Sequence, residues 1–362
     1  MKSKYEILVL GASYGSLLGT KLLMAGHRVA LVCTRSTAEL INREGTLVRF
    51  PVQGRESVVE VDSRQCNGEV SACTPDDVDP SRYDLVVLGM QEPQYGGLGV
   101  RYLMARIAEA RTPCLAIMNM PPLPFLDRIP GLSTANLQGC YTEPTVWERF
   151  DPALITLASP DAQAFRLADR PKNVLHVGLP TNFKAARFGN DEATALLRNL
   201  EADIEEARLP SGTGGIEIPV KLKVHESIFV PLAKWPMLIT GNYRCIRPDA
   251  MIPIKDAVHG NAAKSQEIYD WVANLCRNLG ADANDLVPFE KYAKAAEGLG
   301  KPSSAARALA SGAVYIERVD KLVWRVARQL GLHSEPLHEI VTLVDERLER
   351  NRAVGGDCAA AA

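Results

Sequence analysis

The residues whose types and spacing best suit chemistry are Gly11-Ala12-Ser13-Tyr14-Gly15-Ser16, directly after the apolar run Ile7–Leu10. A glycine turn between a buried strand and a helix leaves backbone amides free and aims a helix N-terminus above the strand. Both features favour an anion, and phosphate in particular. A dinucleotide-binding turn uses three glycines: one for the bend, one for close approach of the pyrophosphate, one for packing helix on strand. Here Gly11 can serve as the first and Gly15 as the last, with Ser13 and Tyr14 in the middle. The Ser13 and Ser16 hydroxyls are further candidate donors to phosphate.

One helix later a second apolar run, "HRVALVCTRS", ends without an Asp or Glu to hold a ribose 2′-hydroxyl. It ends instead on Thr34, Arg35 and Ser36, and a guanidinium suits a 2′-phosphate. The expected cofactor is therefore NADPH rather than NADH. Met90 and Gln91 follow the run "LVVLG", and Asn119 follows "CLAIM". A polar residue ending a core strand of an α/β sheet faces the crevice where ligands bind. Asn119 is accordingly a candidate on both the cofactor and the substrate side. No metal is expected: the eight cysteines lie far apart, with no C-x-x-C pair and no histidine cluster at ligand spacing.

These residues need an α/β frame. "YEILVLG", "HRVALVCT", "YDLVVLGM" and "TPCLAIMN" are short continuous apolar runs, as strands buried on both faces of a parallel sheet should be. Helical stretches such as "SLLGTKLLMAG" and "VRYLMARIAEAR" separate them, which gives a doubly wound domain. Between Gly45 and Pro75, "TLVRF" and "ESVVEV" read as a β insertion. "NVLHVG" opens a second α/β stretch, and "GIEIPVKLKV" alternates as one half-buried strand. From about Glu226 onward the pattern is helical. Val319, Leu322, Val323, Val326 and Leu330 share a face that ends at Gly331, and Ser334 can cap the next helix, with Leu337, Ile340, Val341, Val344 and Leu348 inside. The expected organisation is a Rossmann-type domain over 1–225, an all-helical domain over 226–352 and a disordered tail over 353–362, with the site in the cleft between the domains.

Lys and Arg total 41 against 43 Asp and Glu, a net charge of −2. Neither nucleic acid nor an anionic membrane is suggested as a partner. The N-terminal "MKSKYEILVLG" enters a strand without a signal-peptide core, and no apolar run reaches spanning length, so a cytoplasmic location is expected.

The chain resembles the ketopantoate reductase family of NADPH-dependent 2-oxoacid reductases. The resemblance rests on "ILVLGASYGSLLG…AGHRVALVCTR", "LVVLGM", "CLAIMN" and above all "KPSSAARALASGAVYIERVDKLVWRVARQLGLHSE". It implies a Rossmann domain followed by a helical domain related to that of 6-phosphogluconate dehydrogenase. The departures fall on presumed catalytic positions. The glycine turn is a residue shorter than the family's G-x-G-x-x-G, and the family's phosphate-side lysine falls on Gln91. The asparagine near the nicotinamide is kept as Asn119. The general-acid lysine falls on Pro231 of "FVPLAKW", and the asparagine after it on Trp235. The K-P-S serine is kept as Ser303, while the glutamate of T-E-I-D becomes Tyr315, with Glu317 at the aspartate position.

Reduction of a ketone by hydride needs a proton for the developing alkoxide and donors for its charge. Proline has no such proton. Lys234, three residues on, can reach the same helix face if the helix continues, and is otherwise a solvated lysine. Asn119, Lys234 and Ser303 are the expected catalytic residues. Arg244 and Arg247 of "NYRCIRPD" could hold a substrate carboxylate or simply belong to a surface loop. The expected activity is NADPH-dependent reduction of a small 2-oxoacid, or of a related carbonyl or imine, other than ketopantoate. The alternative is a non-catalytic NADP-binding sensor or scaffold. A helical domain of this kind can mediate a homodimer.

Overall fold

The structure is a computed structural model and describes residues 4–211 and 214–360. It divides into two compact units, Met1–Arg128 with Thr145–Pro231, and Ile129–Pro144 with Leu232–Ala362. The second unit thus begins six residues later than the sequence pattern suggests, and it takes in a segment from the first half of the chain.

The first unit carries the strands. In chain order they are β1 (Glu6–Leu10), β2 (Arg28–Val32), β3 (Leu47–Phe50), β4 (Val59–Asp62), β5 (Glu69–Cys73), β6 (Leu85–Leu88) and β7 (Cys114–Ala116). There follow β8 (Ile155–Ser159), β9 (Gln163–Phe165), β10 (Val174–Leu179), β11 (Phe183–Ala186), β12 (Leu209–Ser211), β13 (Gly214–Ile216) and β14 (Leu222–His225). The helices of this unit are α1 (Gly15–Met24), α2 (Arg35–Glu44), α3 (Leu98–Ala110), α4 (Leu123–Leu126) and α5 (Asp191–Glu206).

The main sheet runs β14-β11-β8-β7-β6-β1-β2-β5. Every pairing from β5 to β8 is parallel. Along that stretch the strands stand third, second, first, fourth, fifth and sixth in chain order, the doubly wound order of dinucleotide-binding folds, which reverses between β1 and β6. The four apolar runs read from the sequence are β2, β1, β6 and β7, side by side. Ile7, Leu8, Val9 and Leu10 are wholly buried, as strands covered on both faces must be. Every residue of α1 is buried too, because the helix packs on β1 and β2 and is itself covered by α5 and β3.

Three parts of this unit differ from the sequence reading. The β insertion does form, with β3 and β4 antiparallel, but β5 joins the main sheet. The "NVLHVG" run, β10, does not extend the main sheet. It pairs with β3 and with β9, completing a small sheet β4-β3-β10-β9. Finally, "GIEIPVKLKV" is not one strand. Pro219 offers no amide to a ladder, and Val220 sits at φ 72, so β13 stops and β14 starts afresh. The alternation of burial survives this break: Ile218, Val220 and Leu222 are all buried.

The second unit is built from α6 (Lys234–Met237), α7 (Ile254–His259), α8 (Ala262–Asn278), α9 (Phe289–Ala296), α10 (Ser304–Ala310), α11 (Val319–Gln329) and α12 (Glu335–Ala360). A π-helical turn, Leu238–Tyr243, continues α6. Its core stacks Tyr269 on Tyr292 with centroids 5.4 Å apart. Gly331 ends α11 at φ 70, and the Ser334 hydroxyl accepts from the Leu337 amide, as the pattern predicts. Segment 129–144 is tied in by a reciprocal pair: Ser133 N–H to Gln329 Oε1 and Gln329 Nε2 to Ser133 O, both 3.0 Å. Helix α12 runs through 353–360, where a disordered tail is expected; residues 361–362 lie outside the described residues. No helix among the described residues is long and apolar enough to cross a membrane.

Candidate functional site

The glycine turn lies where the strand order reverses, between the carboxyl ends of β1 and β6. Gly11 has φ 101, and a Cβ there would stand 2.7 Å from Met90 Cγ. Gly15 fills the role of the packing glycine: a Cβ on it would stand 2.5 Å from Val9 Cγ1. Gly89, after β6, closes the junction from the other side, its amide donating to Leu10 O at 2.9 Å. The turn's own amides are the important feature. Among the described residues, those of Ala12, Ser13, Tyr14 and Gly15 have no acceptor, whereas Ser16 and Leu17 already donate to Ser13 O and Tyr14 O. Successive unclaimed amides at a helix start form a concave anion site. The turn therefore fits a pyrophosphate without its middle glycine.

Two of the expected phosphate ligands serve other ends. Ser16 is buried and its hydroxyl donates to Ala12 O at 2.5 Å, so its proton is spent inside the turn. The Tyr14 hydroxyl donates to Ala162 O at 2.8 Å, with its ring edge-on to Phe183. Burial, with Asp161 adding, holds this phenol far above its ordinary range, so it does not ionise. Tyr14 thus anchors the turn to the link between β8 and β9. Ser13 is exposed and keeps its hydroxyl available.

At the end of β2, Thr34 opens α2 and its hydroxyl donates to Thr37 Oγ1 at 3.0 Å. Arg35 is exposed at the first position of that helix. Beside them Cys33 follows β2 and Cys73 ends the adjacent β5, and burial pushes the Cys33 thiol up to about 11. The guanidinium of Arg166, just past β9, also reaches this edge: its Nη2 donates to Ala12 O at 2.7 Å. Nothing in the sequence signals that contact, since 154 residues separate the partners.

Met90 and Gln91 follow β6. The Met90 amide donates to the buried Tyr95 hydroxyl at 3.2 Å. Gln91 is exposed and makes a reciprocal cap with Gln94, so its side chain is committed to the turn it starts. Asn119 lies half-buried just past β7, on the same carboxyl edge of the sheet. The structure thus brings Gly11–Gly15, Arg35, Met90 and Asn119 to one edge, and the sequence locates each by the strand it follows.

In the second unit the expected catalytic residues fare differently. Lys234 is half-buried at the start of α6. The helix does not continue as a regular one: the 3₁₀ turn Val230–Ala233 precedes it and the π turn follows. Pro236 lacks an amide, and Gly241 lets the Tyr292 hydroxyl come close, since a Cβ on it would stand 2.1 Å from that oxygen. Ser303 is buried and its hydroxyl donates to Asn242 O at 2.6 Å while accepting from the Ala306 amide at 3.1 Å. It is the N-cap of α10, and its hydroxyl is engaged within the fold. Tyr315 is 55% exposed and lies under Arg352, and Glu317 is buried with its carbonyl held by Tyr243.

Two arginines of this unit stand out. Arg244 is half-buried, not part of a surface loop, with Nη1 on Ser265 Oγ at 2.7 Å. Among the described residues no carboxylate pairs with it. Arg247 is exposed. Arg318, in contrast, grips the fully buried Asp320 with two hydrogen bonds of 3.0 and 2.9 Å.

No family model and no curated protein sequence matches the chain. Solved structures do. D-mandelate dehydrogenase, solved with NADH and anilino(oxo)acetate, gives a TM-score of 0.62 at 13% identity, over 96% of this chain and 99% of that one. The 2-dehydropantoate 2-reductase of Methylococcus capsulatus gives 0.63 at 16%, over 96% and 97%. A dimeric ketopantoate reductase of Staphylococcus aureus gives 0.58 at 9%, over 96% and 99%. With a doubly wound first unit, a helical second unit and nearly full coverage, the chain has the ketopantoate reductase fold.

Proposed function

We propose that the chain is an NADPH-dependent oxidoreductase that reduces a small 2-oxoacid, or a related carbonyl or imine, other than ketopantoate. The observation that carries this reading is the run of four unclaimed amides, Ala12 to Gly15, at the point where the strand order reverses. They and Ser13 hold the pyrophosphate. Arg35 faces the 2′-phosphate from the start of α2, which selects NADPH. Met90 lines the same edge beside Gly11. The nicotinamide, when bound, supplies hydride.

The rest falls to the chain's own side chains. Asn119 donates an amide hydrogen bond to the substrate oxygen that gathers charge. Lys234 is the proton donor, because Pro231 has none to give. Within the second unit, Arg244, whose guanidinium is held in place by Ser265, is the candidate partner for a substrate carboxylate. A substrate imine that arrives already protonated needs less from Lys234. A homodimer, as in the Staphylococcus aureus enzyme, and a cytoplasmic location belong to this reading. The seven cysteines from Cys33 to Cys276 are all free, which suits a reducing compartment.

The alternative, a nucleotide-binding protein without turnover, draws on the family's general-acid position being Pro231 and on the engagement of the Ser303 hydroxyl in a helix cap. Titration with NADPH and NADH, followed by nicotinamide fluorescence, tests the common part of both readings. A screen of 2-oxoacids and imines for oxidation of NADPH then separates them. Absence of binding to either nucleotide refutes both, and ketopantoate reduction at ordinary enzyme rates refutes the substrate assignment.

A further inference from the structure

Arg166 is a half-buried cation with no anion beside it. Its Nη2 donates to Ala12 O at 2.7 Å, and its Nε is buried without a hydrogen-bond partner. Among the described residues no Asp or Glu forms an ion pair with it, and the Cys33 thiol is the titratable neighbour it feels. Two other partly buried arginines of this unit, Arg106 and Arg128, are accounted for within the fold. Arg106 donates to Val78 O and Pro75 O, and Arg128 to Ile155 O and Arg187 O, all four being main-chain carbonyls bound in pairs. Arg166 has one carbonyl and unused donors. A guanidinium stays charged at any working pH, and holding it partly out of water without a counter-charge is unfavourable unless an anion comes to it.

Its position says which anion. Arg166 spans the carboxyl ends of β1 and β2, between Ala12 of the glycine turn and Cys33. That is where the unclaimed amides of Ala12 to Gly15 open outward. It arrives from β9, a strand of the small sheet, and Tyr14 fixes that sheet's approach through Ala162 O. We propose that Arg166 binds the pyrophosphate of the dinucleotide, supplying from across the fold the charge that offsets the missing middle glycine. This rests on the dinucleotide reading above and adds to it a residue from outside the Rossmann strands and turns.

The test titrates NADPH and NADH into the full chain and into Arg166→Met and Arg166→Gln. Glutamine keeps a donor for Ala12 O but removes the charge, so it reads binding even if the methionine variant unfolds; unliganded melting curves report folding. The expected result is a loss of about ten- to a hundredfold in affinity, the range of a charge-assisted hydrogen bond, equal for the two nucleotides. Unchanged affinity in folded variants overturns the assignment and leaves the dinucleotide reading standing. A loss confined to NADPH overturns it as well, moving the contact to the 2′-phosphate. Failure of the unaltered chain to bind either nucleotide overturns both.

Discussion

Gly15 lies directly against Val9: a Cβ added to it would meet Val9 Cγ1 at 2.5 Å, inside any real contact distance. Helix α1 can follow strand β1 this closely only because position 15 has no side chain. Gly15→Ala should push the helix off the strand and cost about 1–3 kcal/mol, as overpacking of a dense core does. It should also displace the amides of Ala12 to Gly15 and weaken nucleotide binding. Gly19→Ala is the matched control. Its Cβ would meet Val29 Cγ1 at 3.5 Å, an ordinary contact, and alanine favours a helix by about 0.5–1 kcal/mol over glycine. Denaturant unfolding of the two variants decides the point. Equal stability would show that the spacing of α1 and β1 does not depend on Gly15.

Arg35 is exposed at the first position of α2, beyond the end of β2. If it meets the 2′-phosphate, Arg35→Met should weaken NADPH by about tenfold or more and leave NADH unchanged, since only one nucleotide carries that group. Parallel titrations measure the ratio. An equal fall for both nucleotides would place Arg35 elsewhere on the cofactor, and no fall would remove it from the site.

How far the site was readable follows from sequence distance. β1, β2, β6 and β7 announce themselves because each is buried on both faces, and Gly11, Arg35, Met90 and Asn119 are located by the strand they follow. Val220 marks where this stops. Alternating apolar residues predict burial from Ile216 to Val224, and the structure buries Ile218, Val220 and Leu222 and half-buries Ile216 and Val224 at the two ends. Strand continuity is a backbone property that Pro219 interrupts. Ser303 shows a second limit: a serine before a helix can cap it or face a ligand, and only its partners, Asn242 O and the Ala306 amide, tell which. Arg166 shows a third. Its contact with Ala12 depends on β9 and β10 folding back onto β3, a pairing that no local pattern encodes.

Arg318 and Asp320 form the buried ion pair of the helical unit, with Asp345 as a third member and Asp320 wholly shielded from water. Removing one partner leaves the other charge uncompensated. Asp320→Ala should therefore destabilise the chain by about 3–5 kcal/mol. Replacing both residues together with apolar ones of similar volume should cost less than the single change. A double-mutant unfolding cycle measures this. A single variant within about 0.5 kcal/mol of the unaltered chain would mean that water reaches the pair.

Lys21 gives the pH prediction. It lies inside α1, only 1% exposed, with Nζ donating to Ile218 O at 2.6 Å. Burial, reinforced by Lys221, brings its ammonium down from an ordinary 10.5 to about 8. The unfolded chain thus holds this proton more tightly than the folded one. Below pH 8 Lys21 is charged in both states and the fold carries the penalty, roughly 3 kcal/mol for a displacement of that size. Between about pH 8 and 10.5 the folded chain has released the proton while the unfolded chain still binds it, so stability rises with pH across that window. Lys21→Met removes the titration but leaves Ile218 O without its donor, a loss of about 1–3 kcal/mol that does not depend on pH. The two effects oppose each other near neutrality, so the slope is the decisive quantity. Relative to the variant, the unaltered chain should gain up to roughly 3 kcal/mol from pH 8 to 10.5. A flat or falling difference would show that Lys21 is hydrated in the folded state and titrates as an ordinary lysine.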